Sequence, residues 1–335
     1  MDFGPAPAPS LNASGTVAFY ATSDNGNVGI YKGNGAITTT IFATSQFPTS
    51  FSKPSINQAG TVAFFLAHGG NNASIVTGNG GSLVTVVDTT GEFTGLSIYA
   101  AINASGTVAF SASHNPPPGG IFTITGGMAT RIGFGGNFTI NDAGTVAGNR
   151  SSFPGEAIAT GNGGPTTTIA DSSGPLKVFG YQPAINNSGT VAFVAGVGDR
   201  YSGAYGIYSG NGGALTTIAD LSGPFNYFDL FGTQPSINGA GIVAFAAGLD
   251  AGGYGIFTGD GVTTNEIIGT GDSLFGSTVT SASISTTAFN DNGQLAFYYQ
   301  LANGTNGIAL ATPTPEPSAS LLLASGALLA LRRRR

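Results

Sequence analysis

Apolar and polar positions alternate along short segments of this chain, and the same alternation returns seven times. In Thr16 to Phe19, Val17 and Phe19 share one side while Thr16 and Ala18 take the other; a period of two is that of a β-strand. An asparagine and, three residues on, a glycine precede each such run, so the first phrase reads NASGTVAF from Asn12. It recurs as NQAGTVAF from Asn57, NASGTVAF from Asn103, NDAGTVAG from Asn141, NNSGTVAF from Asn186, NGAGIVAF from Asn238 and NDNGQLAF from Asn290. Asparagine first and glycine fourth (Gly15, Gly60, Gly106, Gly144, Gly189, Gly241 and Gly293) predict a type I turn ending in a left-handed residue, a conformation that glycine adopts without strain. Each phrase is therefore a hairpin tip. The alanine kept in every copy predicts a second face closely covered by a neighbour, because a strand with a water-facing side more often carries charge there.

A further strand follows at nearly constant distance. Ile30, Ile75, Ile121, Ile158, Ile207, Ile256 and Ile308 lie 18, 18, 18, 17, 21, 18 and 18 residues after their asparagines. In five copies a Gly-Asn-Gly or Gly-Asp-Gly turn comes next (Gly33, Gly78, Gly161, Gly210, Gly259), then a Thr- or Val-rich run such as Thr38 to Ile41 or Thr216 to Ile218. With the apolar residue before each asparagine, every unit reads as four short strands. The asparagines are 45, 46, 38, 45, 52 and 52 residues apart, a period that belongs to propeller blades or a solenoid. The predicted fold is all-β: a propeller of about seven four-stranded blades over residues 10–312, followed by a C-terminal hydrophobic helix, with a β-solenoid as the alternative.

Irregularities in the array carry expectations of their own. The stretch between the last strand of one unit and the next asparagine varies most, from 9 residues after Ile132 to 22 after Ile268. This gathers the variable loops on one face, in repeat folds often the binding face. The fourth phrase ends in Gly148 where the others have Phe, which predicts a loosely packed fourth blade. Residues 1–9 read as the remnant of a preceding repeat, since Phe3, Gly4, Pro9 and Leu11 match the connections FGYQPAIN from Phe179 and FGTQPSIN from Phe231. They show neither the basic nor the apolar region of a signal peptide, so an export signal is expected upstream. The seventh unit has three recognisable strands before Pro313, and ring closure is expected to draw its missing strand from the N-terminal side.

Composition narrows the class of protein. Charged residues make up 8% of the 335 and hydrophobic ones 41%, with 55 glycines and no Cys or Trp. So little charge beside so much apolar content fits a folded, exported β protein rather than a disordered chain. The net charge of −6 includes four arginines at the extreme C-terminus; without them six basic residues face sixteen acidic ones. An acidic body with no basic stripe argues against a nucleic-acid partner.

The inventory for catalysis is thin, and no residue is assigned a catalytic or metal-binding role; no cofactor is expected. His68 and His114, the only histidines, fall in Gly- or Pro-rich loops and do not pair. Asp88, Asp171 and Asp220 recur as Asp-x-Ser/Thr-Gly, where an aspartate caps its own turn; calcium is the alternative reading. The phrase SDNGNVG offers only Asp24, Asn25 and Asn27 to a cation. Tyr20, Tyr99, Tyr181, Tyr201, Tyr205, Tyr227, Tyr298 and Tyr299 could stack on sugars, but a tyrosine at a strand end is usually a packing residue with a wet hydroxyl.

The tail changes character at Pro313. A Pro- and Ser-rich linker leads to the apolar run Leu321 to Leu331 and then to Arg332, Arg333, Arg334 and Arg335. Pro315-Glu316-Pro317, a short apolar segment and a terminal arginine cluster, in that order over residues 313–335, resemble the PEP-CTERM sorting signal of Gram-negative bacteria. The resemblance implies Sec export, recognition of Pro315, Glu316 and Pro317 by an exosortase, and a transient inner-membrane segment at 318–331 stopped by Arg332 to Arg335. It further implies release or transfer to the cell surface or an exopolysaccharide matrix. The body resembles bacterial tandem-repeat proteins with NxxGxxAF units, for which no activity is implied. The expected protein is non-enzymatic and surface- or matrix-associated; a carbohydrate-binding or carbohydrate-active propeller is the alternative.

Overall fold

The computed structural model describes residues 8–45, 53–70, 72–152, 155–199, 204–313 and 329–330. Seven antiparallel sheets follow one another along the chain. The first blade runs Ser10–Leu11, Val17–Thr22, Val28–Gly33 and Thr38–Thr44 in that spatial order, and the next five repeat the plan. In the fifth and sixth the inner strand is split: Val178–Phe179 and Ala184–Ile185 both pair with Val191–Gly196, and Phe225–Tyr227 and Ser236–Ile237 with Val243–Leu249. No helix occurs among the described residues.

The two-sided strand of the repeated phrase explains the ring. Val17 and Phe19 pack against the seventh blade, while Ala18 and Ile30 pack against the second. The same division recurs at every interface, so the apolar core is seven inter-blade layers. All seven phrase alanines are 0% exposed. A longer side chain there would wedge neighbouring blades apart in an interior already packed to crystal-like density.

The turns form as the phrase requires. Each glycine has φ between 73° and 85° and donates to the carbonyl of its asparagine, as Gly15 does to Asn12 at 3.1 Å. The asparagine side chain contributes more than a turn preference. Its Oδ1 accepts the amide four residues on, from Thr16 at 2.9 Å in the first copy to Gln294 at 2.9 Å in the last. In five of the seven copies its Nδ2 also reaches the backbone carbonyl of the next blade's asparagine: Asn12 to Asn57 at 3.2 Å, Asn103 to Asn141 at 3.1 Å, Asn141 to Asn186 at 3.1 Å and Asn186 to Asn238 at 2.9 Å. The belt closes with Asn290 to Asn12 at 3.0 Å. These side chains, 3–6% exposed, need an acceptor and a donor at once. Asparagine supplies both without burying a charge.

Closure does not use an N-terminal strand among the described residues. Ser10–Leu11 is the inner strand of the first blade itself, and the seventh comprises Ser273–Leu274, Ser277–Ser283, Leu295–Leu301, Asn306–Ala311 and, beside the last, Leu329–Ala330. The seam is held by packing and short bonds. Leu11 N donates to Thr287 O at 2.8 Å, Thr287 Oγ1 to Ser10 Oγ at 3.0 Å and Ser285 Oγ to Pro9 O at 2.5 Å. An open solenoid would leave Leu11 and Leu310 uncovered; here they share one buried cluster.

The fourth blade is well packed, against expectation. Phe134, from the short connection before the phrase, is 5% exposed and lies in the layer between the third and fourth blades. Its ring fills the space a side chain at Gly148 would need, coming within 2.6 Å of where a Cβ would stand. The missing aromatic is thus supplied from another position in the same unit.

Candidate ligand-binding site

Pro315, Glu316, Pro317 and Arg332 to Arg335 lie outside the described residues, as does 318–328 of the apolar segment. Among the described residues no helix is long and apolar enough to cross a membrane. The repeat-turn residues, from Asn12 and Gly15 to Asn290 and Gly293, form the belt above and sit together on one face of the ring.

The acidic turns are self-contained. Asp88 Oδ1 accepts from Thr90 N at 2.9 Å and Thr90 Oγ1 at 2.6 Å; Asp220 holds Ser222 at 2.9 and 2.6 Å in the same way, and Asp171 holds Ser173. The hydroxyl and amide of the residue two positions on hold the Asp88 and Asp171 carboxyls below the usual carboxylate range. Among the described residues no three His, Asp or Glu side chains come close enough to share a metal ion. The histidines end strands rather than sitting in free loops. His68 Nε2 lies 2.8 Å from Ser74 Oγ, and His114 packs on Phe93 and Phe122 with Nε2 3.4 Å from Glu92.

Two places could receive a ligand. On the turn face, a cleft of about 260 Å³ between the first and second blades is lined by Asn12, Lys32, Asn34, Thr39 and Gln58. Its cation is already engaged: Lys32 Nζ donates to Gly60 O at 2.7 Å and to Asn79 Oδ1.

The other place is the axis. Successive inner strands touch one another around it, and the residue four before each phrase asparagine stands where those strands leave the ladder. Lys53 and Gln234 hold this position in the second and sixth blades, which are not neighbours, yet Lys53 Nζ donates to Gln234 Oε1 at 3.1 Å. That bond spans the channel. Equivalent positions carry Asn137 and Gln182, both half-buried. Burial presses the Lys53 ammonium below its usual pKa, and no carboxylate among the described residues pairs with it.

An aromatic pair adjoins the bridge along the chain. Tyr181 directly precedes Gln182, and Phe231 lies three residues before Gln234; their ring centroids are 4.6 Å apart, and they are 46% and 43% exposed. Phe231 is presented by a tight turn in which Asp229 Oδ1 accepts Phe231 N at 2.9 Å and Asp229 O accepts Thr233 N at 2.9 Å. The matching residue one blade earlier, Phe179, is fully buried. Of the other tyrosines singled out in the sequence, Tyr205, Tyr298 and Tyr299 are buried packing residues, Tyr20 and Tyr99 are half-buried, and Tyr227 is exposed; Tyr201 lies outside the described residues. Sequence reasoning missed Lys53 and Phe231. The signal available in the sequence was the offset of four from the phrase asparagine that Lys53 shares with Gln234.

Ring, belt and axial channel together define a seven-bladed β-propeller. The family model described as a family of unknown function (DUF7453) matches residues 102–286, just over half of the chain; the protein belongs to that family. No curated protein sequence matches it. Among solved structures, the β-propeller domain of the Trilobed protease from Pyrococcus furiosus, described as having an open velcro topology, is similar with a TM-score of 0.60 at 12% identity. That match covers 92% of this chain and 94% of that one. A GH74 xyloglucanase from Xanthomonas campestris matches with a TM-score of 0.55 at 10% identity, over 90% of this chain and 51% of that one. A GH74 enzyme from Niastella koreensis gives 0.52 at 13%, over 92% and 53%. This chain spans about half the length of the GH74 enzymes, and the likeness is one of fold.

Proposed function

We propose that this protein is a non-enzymatic, exported propeller delivered to the cell surface or an exopolysaccharide matrix by its C-terminal tail. The observation that carries the reading is the order Pro315-Glu316-Pro317, apolar run, Arg332 to Arg335 at the end of an otherwise weakly charged β body. Sec export and an exosortase are the partners this implies, with the inner membrane a transient station. A rigid ring whose recurrent acids are tied into their own turns suits a display or binding scaffold better than an acid–base catalyst, which needs a carboxyl free to exchange protons with a substrate. The test is the mass of the mature protein from an exosortase-bearing host. Loss of the arginine cluster is expected; a mature chain that keeps all four arginines overturns the sorting reading.

The second reading, carbohydrate binding on the variable-loop face, is favoured by one specific observation. Tyr181 and Phe231 form an exposed aromatic pair held by a hydrogen-bonded turn. Aromatic faces of this kind pack on the C–H faces of sugars while their edges stay wet. The GH74 xyloglucanase shares this ring architecture but contributes no residue to the argument.

A further inference from the structure

The bridge across the axis is an unusual use of a lysine. An ammonium drawn out of water is held most strongly by an ionised acceptor, through a charge-assisted bond. Lys53 instead donates to Gln234, a neutral amide that an incoming carboxylate would outcompete. The half-buried amides of Asn137 and Gln182 occupy equivalent positions around the same opening. Tyr181 and Phe231 adjoin it along the chain. One cation, several amides and an aromatic platform at a single mouth match a ligand with one carboxylate, several hydroxyls and an apolar ring face.

We infer that the loop-side mouth of the axial channel binds an acidic saccharide, a uronate, whose carboxylate displaces Gln234 from Lys53 and whose ring packs on Tyr181 and Phe231. Asn137 and Gln182 serve its hydroxyls. No bond is made or broken beyond this exchange of hydrogen-bond partners. The inference rests on the carbohydrate-binding reading and narrows it to a charge class and a place.

The test is calorimetric titration of the full chain with trigalacturonate, its methyl ester and cellotriose, in wild type and in Lys53→Gln, Tyr181→Ala and Gln234→Ala, with thermal melts to confirm folding. Trigalacturonate is expected to bind, and its ester at least tenfold more weakly. Lys53→Gln should weaken the acid tenfold, about 1.4 kcal/mol, and leave the ester unchanged. Tyr181→Ala should weaken both, and Gln234→Ala, which removes the internal competitor, should tighten the acid. Gln234→Ala alone keeps the inference testable if Lys53→Gln does not fold. Equal binding of acid and ester, insensitive to position 53 but lost in Tyr181→Ala, overturns the inference and leaves the carbohydrate reading standing. Binding of trigalacturonate that acetate matches and Tyr181→Ala does not touch overturns it in favour of a simple anion site. Binding of none of the three saccharides overturns both.

Discussion

The two faces of the ring are built on opposite plans. On the turn face every phrase repeats the same bonds within its turn, and five of the seven asparagines also tie their turn to the next. Ala13 N donates to Gln58 Oε1 at 3.0 Å, Ala104 N to Asp142 Oδ1 at 2.8 Å and Asp142 N to Asn187 Oδ1 at 2.9 Å. On the loop face the recurrent aspartates Asp88, Asp171 and Asp220 satisfy their carboxyls within their own turns, and connections differ in length and content. The difference teaches where change is tolerated. A belt of shared bonds constrains all its members together, whereas self-capped loops can vary one at a time. The exposed aromatic pair and the bridging lysine arise from the freely varying side.

The largest test of this contrast is a loop-face residue captured by the core. Phe134→Ala should cost about 3–5 kcal/mol in urea unfolding, the range for truncating a buried aromatic. The exchange Phe134→Gly with Gly148→Phe should recover most of it, and failure to recover would show that the ring does more than fill the vacancy at Gly148. Next, Asn186→Ala strips the partner from Thr190 N at 2.9 Å and loses the bond to Asn238 O at 2.9 Å. A cost of about 2–4 kcal/mol is expected from leaving buried groups unpaired. Asp220→Asn on the opposite face should stay within about 0.5 kcal/mol; equal costs for the two would break the comparison.

A smaller effect concerns the seam, which no peptide linkage spans. The Leu11 amide, bonded to Thr287 O, should exchange its hydrogen faster than the Phe289 amide, bonded to Ser236 Oγ at 3.1 Å, because terminal strands open locally. The smallest effect is acid sensitivity. The Asp88 and Asp171 carboxyls are held below their ordinary value, so their stabilisation is complete above the unfolded-chain pKa, near 4. It is lost as pH falls from there through the lower folded value. Asp171→Asn should flatten that part of the stability profile, and a profile unchanged by the substitution would show that the turn does not depend on the charge.

Much of this architecture was legible in one dimension. The Asn and Gly spacing announced the turns, and the Val/Phe and Ala alternation announced a strand covered on both sides, since side-chain direction follows from the period of two. The belt was not legible, because a turn preference accounts for asparagine without revealing the neighbour's carbonyl. Nor was the role of Phe134: the vacancy at Gly148 is visible in the sequence, but its filling depends on how a connection folds back. Nor was closure legible: among the described residues the seventh blade takes its inner strand from Ser277–Ser283, a run without the phrase pattern, and its outer one from Leu329–Ala330 rather than from the N-terminal side.

By itself, then, the sequence determined the repeating unit, its strand order and the burial of both faces, because these follow from local turn chemistry and from side-chain periodicity. Only the tertiary structure decided how the ring shuts and what meets at its axis. Lys53 and Gln234 are 181 residues apart, and a contact between such residues follows from the number and tilt of the blades, which no local pattern encodes.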